Sequence, residues 1–134
     1  MTPARFLLDR SVGGRALVSR LREANWDVRT LAEAYGDARA QTMRDEEWIS
    51  EGTLAGFILV TKDHRVATRP LEAQAIHAAG ARVVTFARGD ITAATMGDMC
   101  LEFAEALHNL ARANPPFVIS LSRGGLRRKK LYFP

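Results

Sequence analysis

Three aspartates in this chain stand where apolar sequence gives way to polar sequence. Phe6-Leu7-Leu8-Asp9 and Phe57-Ile58-Leu59-Val60-Thr61-Lys62-Asp63 each read as a short buried strand with an aspartate at or just past its carboxyl end. Asp45 opens an acidic helix start, Asp45-Glu46-Glu47-Trp48-Ile49. In open α/β sheets ligands bind outside the carboxyl ends of the strands. Crossover helices begin on that same edge, so the spacing predicts that Asp9, Asp45 and Asp63 converge. Three carboxylates within about 4 Å repel by roughly 4 kcal/mol per pair at an effective dielectric near 20, so a convergent set calls for a cation. All-oxygen ligation suits Mg²⁺ or Mn²⁺. A cation held this way can orient and activate a water and shield the charge of a phosphodiester. Each acid alone reads as a turn or cap residue; the three together, with the Thr-x-Asp ending, carry the chemical reading.

The elements that would position these acids follow in order. Phe6–Leu8 is a first strand, and Ser11-Val12-Gly13-Gly14 turns into a helix with Leu17, Val18, Leu21 and Ala24 at helical spacing. Asn25 stops that helix, and 26–30 alternates as a second strand. Residues 31–35 read as a helical turn, and 36–44 as loop or short helix. Acids in the first turn suit the positive end of the dipole of a helix from Asp45 to about Leu54. Gly56 breaks it, and strand three covers 57–61. Pro70 starts a helix that Gly80 closes, and 82–86 is strand four. Thr92 caps a long helix carrying Met96, Met99, Cys100, Phe103, Leu107 and Leu110; its Met96/Met99/Phe103 stripe is core or a dimer face. Asn114-Pro115-Pro116 ends it, and 117–121 is a last strand placed at a sheet edge because of the two prolines. Strands alternating with helices predict a three-layer α/β/α domain with a mainly parallel central sheet over 1–122, followed by a basic C-terminal tail over 123–134.

The bulk properties agree. A chain of 134 residues, 47% hydrophobic and 25% charged, is ordinary globular material able to bury a core. The single cysteine, Cys100, allows no internal disulfide and suits a reducing cytosol, so a cytoplasmic location is expected. The first residues lack the apolar core of a signal peptide, and no stretch has the roughly 18 apolar residues a membrane span needs. Net charge is +4, with Arg123, Arg127, Arg128, Lys129 and Lys130 crowded at the end. That cluster fits a polyanion such as nucleic acid or a solvated tail, and charge alone does not choose. Arg10 and Lys62 flank the acids and could bind phosphates. His64 reads as an exposed loop histidine, His77 and His108 as structural or surface residues, and Trp48 as a core anchor of its helix.

Phe6–Asp9, Asp45–Ile49 and Ile58–Asp63 together resemble PIN and PIN-like domains. In these an Asp ends the first strand, an Asp opens a later helix, and that helix leads into an apolar strand ending Thr-x-Asp. The resemblance covers roughly residues 5–90 and extends to the short branch that includes the VapC-type toxins of bacterial toxin–antitoxin pairs. It implies a Mg²⁺- or Mn²⁺-dependent endoribonuclease that leaves a 5′-phosphate and a 3′-hydroxyl. By motif it makes Asp9, Asp45 and Asp63 the catalytic, metal-binding acids, with Thr61 supporting them. The fourth acid of larger members falls on Glu33 by order, with Glu46 as a neighbour that could substitute. His64-Arg65 stand where a second Asp often follows. The expected partners are an RNA substrate, bound also through Arg127, Arg128, Lys129 and Lys130, and a cognate antitoxin; a homodimer is an open expectation. A degenerate PIN-like module that binds RNA or protein without cutting is the alternative. A phospho-acceptor receiver domain ranks well below both, because Asp9 is followed by Arg10 and the last strand ends in Leu121-Ser122-Arg123.

Overall fold

The structure is a computed structural model that describes residues 3–12 and 14–131. Gly13 of the expected first turn and residues 132–134 of the expected tail lie outside the described residues. Six strands form one sheet in the order β2-β1-β3-β4-β5-β6: β1 Phe6–Leu8, β2 Val28–Thr30, β3 Ile58–Thr61, β4 Arg82–Phe86, β5 Phe117–Ser122 and β6 Gly125–Lys129. β1 to β5 are parallel, and β6 runs antiparallel to β5. One face packs on α1 (Arg15–Glu23), α6 (Ala93–Glu102) and α7 (Ala104–Asn109), through Leu17, Val18, Leu21, Met96, Met99 and Leu107. The other packs on α2 (Leu31–Tyr35), α3 (Asp37–Thr42), α4 (Asp45–Leu54) and α5 (Pro70–Ala79), through Leu31, Ala40, Trp48, Ile49 and Ile76. This is the expected three-layer α/β/α domain. Every residue of β1 and β3 is buried, as a strand covered on both faces requires.

Local signals fix the helices that matter to the site. Thr30 Oγ1 accepts from Glu33 N at 3.2 Å while Glu33 Oε1 accepts from Thr30 N at 2.9 Å, a reciprocal cap on α2. Thr92 caps α6, its hydroxyl accepting from Thr95 N at 3.1 Å. Gly80 closes α5 at φ +68°, in the left-handed region where a Cβ is costly. Gly52 matters for another reason. A Cβ built there would stand 2.7 Å from Cδ2 of both Leu7 and Leu59, so its hydrogen lets α4 lie directly on β1 and β3. That close seat sets where Asp45, two turns earlier, meets the sheet edge.

The polar stretch after Gly36, expected as loop or short helix, is the short helix α3, with Ala40 as its one buried residue. The structure departs from the sequence reading in two places. The expected single helix after Thr92 is broken at Phe103, and α7 then sends His108 against Phe6 and Trp26 with ring centroids 5.2 and 4.5 Å apart. Met96 and Met99 are buried, so the methionine stripe belongs to the core. The basic segment is a strand over 125–129: Ser122 pairs with Gly125 across a tight turn, and β6 covers β5, which is therefore not the edge. Consecutive cations hid its alternation, and charges on an outer strand oppose edge-to-edge pairing with other chains.

Candidate functional site

Asp9 leaves β1 at the carboxyl edge, its backbone N–H still donating to Val60 O at 3.0 Å. Its side chain is held from two sides. Oδ1 accepts from Ser11 N at 2.9 Å and from Ser11 Oγ at 2.5 Å, and Oδ2 accepts from Thr61 Oγ1 at 2.5 Å. Burial pushes the Asp9 carboxyl above its ordinary value of 3.8; the Ser11 and Thr61 hydrogen bonds oppose this, and the charge of Asp45 adds to it. Asp45 is the first residue of α4, and its Oδ1 accepts from Trp48 Nε1 at 3.0 Å. Trp48 thus anchors α4 in the core, as its sequence position suggests, and also orients Asp45. Asp9 and Asp45 line one cavity of about 370 Å³ with Arg10, Ser11, Leu31, Met43 and Trp48.

Asp63 sits differently. Its Oδ1 accepts from Arg65 N at 3.0 Å, and its Oδ2 pairs with Arg69 Nη1 at 2.5 Å. It is not among the residues lining the Asp9–Asp45 cavity. Among the described residues no group of three or more His, Cys, Asp or Glu is gathered closely enough to hold a metal ion. The structure therefore brings Asp9 and Asp45 together and turns Asp63 onto an arginine. Thr61, buried within β3, joins the acids: its hydroxyl donates to Asp9 and accepts from Asp63 N at 3.2 Å.

The other residues singled out by sequence fall as follows. Glu33 caps α2 and pairs with Arg22 at 2.6 Å; that arginine, with the Thr30 N–H, holds its carboxyl below the usual value. Glu46 lies 3.5 Å from Arg44. Neither lines the cavity. Arg10 lines it, and its Nη1 donates to Gln41 O at 2.7 Å, tying the β1 loop to the end of α3. Lys62 N donates to Ser11 Oγ at 2.9 Å, and its side-chain charge acts on Asp90. On β6, Arg127 and Lys129 share the α4/α5 face, and Lys129 Nζ donates to His64 O at 2.7 Å. Arg128 points to the other face, its guanidinium 5.5 Å from the Phe117 ring centroid. Lys130 is exposed beyond the strand.

Two residues were missed. Ser11 fastens Asp9 to the backbone of Lys62; the Asp-x-Ser spacing, in which an aspartate accepts the N–H two residues on, was its signal. Asp37, in the first turn of α3, lines a second cavity of about 220 Å³ that shares Asp9, Arg10 and Leu31 with the first. No periodicity marked it.

Two carboxylates at an open cavity suit a hard cation that keeps several of its waters. Burial penalises the charge of Asp9 and the charge of Asp45 adds to that penalty, so a cation between them would offset both.

The family model described as a PIN-like domain matches residues 4–88. The chain belongs to the PIN-like domain family. A Mycobacterium tuberculosis protein named as a candidate ribonuclease, VapC45, is 29% identical over 114 residues, covering 85% of this chain and 83% of that protein. No solved structure matches the chain.

Proposed function

We propose that this protein is a Mg²⁺- or Mn²⁺-dependent endoribonuclease and the toxin of a toxin–antitoxin pair. The observation that carries the reading is the facing of Asp9 and Asp45 across an open cavity at the carboxyl edge, with Asp9 pushed up by burial and by Asp45. Membership of the PIN-like family and the likeness to a protein named as a candidate ribonuclease support it. When bound, a divalent cation supplies Lewis acidity toward water and phosphate. Asp9 and Asp45 would hold it. Ser11 and Thr61 keep Asp9 oriented, and the Trp48 indole keeps Asp45 oriented. Arg10 and Lys62 bind phosphates on either side, and Arg127 with Lys129 extends a cationic approach from β6. The partner is a cognate antitoxin.

Incubation of the purified protein with a mixed structured and single-stranded RNA pool tests this, with Mg²⁺, with Mn²⁺ and with chelator. Cutting that needs metal, leaves 5′-phosphates and disappears in Asp9→Asn and Asp45→Asn is the expected result. The binding-module reading is favoured by one observation, the capture of Asp63 by Arg69. It predicts RNA binding with no cutting under any metal.

A further inference from the structure

We propose that Arg69 is an internal counter-cation for Asp63 which an incoming divalent cation must displace, so that this one side chain sets the metal affinity of the site. The inference rests on the reading that Asp9 and Asp45 hold such a cation.

The pairing is built into the turn. Residues 63–69 connect β3 to α5 through backbone bonds from Val66 N to Asp63 O (3.3 Å), Thr68 N to Arg65 O (3.0 Å) and Arg69 N to Arg65 O (3.2 Å). Val66 and Ala67 anchor the turn in the core. Arg69 precedes Pro70, which excludes the helical region for it; its backbone is extended, at φ −75° and ψ 127°. The guanidinium is therefore presented to Asp63 by a fixed backbone, and the contact costs less ordering than two free surface side chains would pay. The side chains are 39% and 26% exposed, so the pair is partly screened by water and open to exchange.

Asp63 is also one hydroxyl away from the acid pair. Its N–H donates to Thr61 Oγ1, and that hydroxyl donates to Asp9 Oδ2. Yet both Asp63 oxygens are engaged by Arg65 N and Arg69. A third carboxylate is thus neutralised in place, on a residue whose backbone N–H lies one hydroxyl away from Asp9. Of the other cations near it, Arg65 is exposed and contributes only its backbone N–H to Asp63, and Lys129 is held on His64 O. Arg69 is the guanidinium that competes.

Titration calorimetry of the full chain with Mn²⁺ alone, without RNA, tests the proposal. Arg69→Gln is expected to tighten Mn²⁺ binding roughly two- to fivefold, the range set by a partly exposed pair. Arg69→Met, which keeps the apolar stem, gives the same gain and guards against a packing artefact. Arg65→Gln removes an equal charge without the contact and leaves the affinity unchanged. In Asp63→Asn the Arg69→Gln gain disappears. Wild-type affinity in both Arg69 variants, a gain matched by Arg65→Gln, or a gain that survives Asp63→Asn would each overturn the proposal while leaving the metal site standing. No Mn²⁺ binding by wild type or any variant would overturn the metal reading and this inference together.

Discussion

The Asp9 carboxylate, proposed above to hold a cation, is buried, and burial raises its pKa above 3.8. The native state therefore binds this proton more readily than the unfolded chain does. Above the native pKa the ionised group carries its burial cost, and that cost fades as pH falls through the native pKa toward 3.8. Asp9→Asn is accordingly expected to raise the melting midpoint of metal-free protein by a few degrees at neutral pH, with the gain shrinking on acidification. Melting curves of both proteins across pH, in chelator, check this. Asp45 depends instead on its neighbour: Trp48→Phe keeps the ring in the core but removes the N–H that fixes the carboxylate. RNA cleavage is expected to fall about tenfold, as for other groups that orient a metal ligand, with the far-ultraviolet dichroism unchanged. These orientations were only half legible in the sequence. Strand ends and helix starts gave the positions of Asp9, Asp45 and Asp63. Which way Asp63 turns depended on Arg69, six residues on and across a turn, and no local pattern encodes that choice.

At the scale of elements, α4 carries the acid and Gly52 seats it. Gly52→Ala puts a methyl into contact with Leu7 and Leu59, so it is expected to cost about 1–3 kcal/mol, read from the denaturant midpoint. Cleavage should fall as well, because lifting α4 moves Asp45. The strongly signalled elements were legible: α4 and α5 by their caps and breakers, β3 and β4 as short apolar runs between them. α3 was legible only as loop or short helix, because a six-residue helix with one buried alanine shows no period. β6 was not, because Arg127, Arg128 and Lys129 mask the alternation that pairing with β5 imposes. The two faces of β6 give separate expectations. Arg127→Gln should weaken RNA binding and reduce the salt slope of the affinity by about 1. Arg128→Gln, which removes the contact with Phe117, should lower stability by a few tenths of a kcal/mol or more and leave the slope alone. Filter binding over a salt series, beside melting curves, separates them.

Across the whole molecule, one line of polar residues crosses four strands of the sheet. Thr61, Thr85, Ser120 and Arg127 are register partners in a single lateral row over β3, β4, β5 and β6, and Asp9 bonds to the Thr61 end. The row runs from the acid site to the basic strand on the face that carries α4 and α5. This layout joins the Asp9 edge of the sheet to its basic strand. The alternation of strands and helices made the layered architecture readable; the lateral row was invisible until the strand order was known.

The central claim, that Asp9 and Asp45 hold a divalent cation, is tested most directly by Mn²⁺ titration of ¹⁵N-labelled protein while its two indole signals are followed. Trp48 donates to Asp45 and lines the cavity, whereas Trp26 packs against Phe6 and His108 away from it. Substoichiometric Mn²⁺ is expected to broaden the Trp48 indole signal first and leave Trp26 sharp, with the effect lost in Asp45→Asn. Equal broadening of both signals, or no broadening at Trp48, would contradict the account.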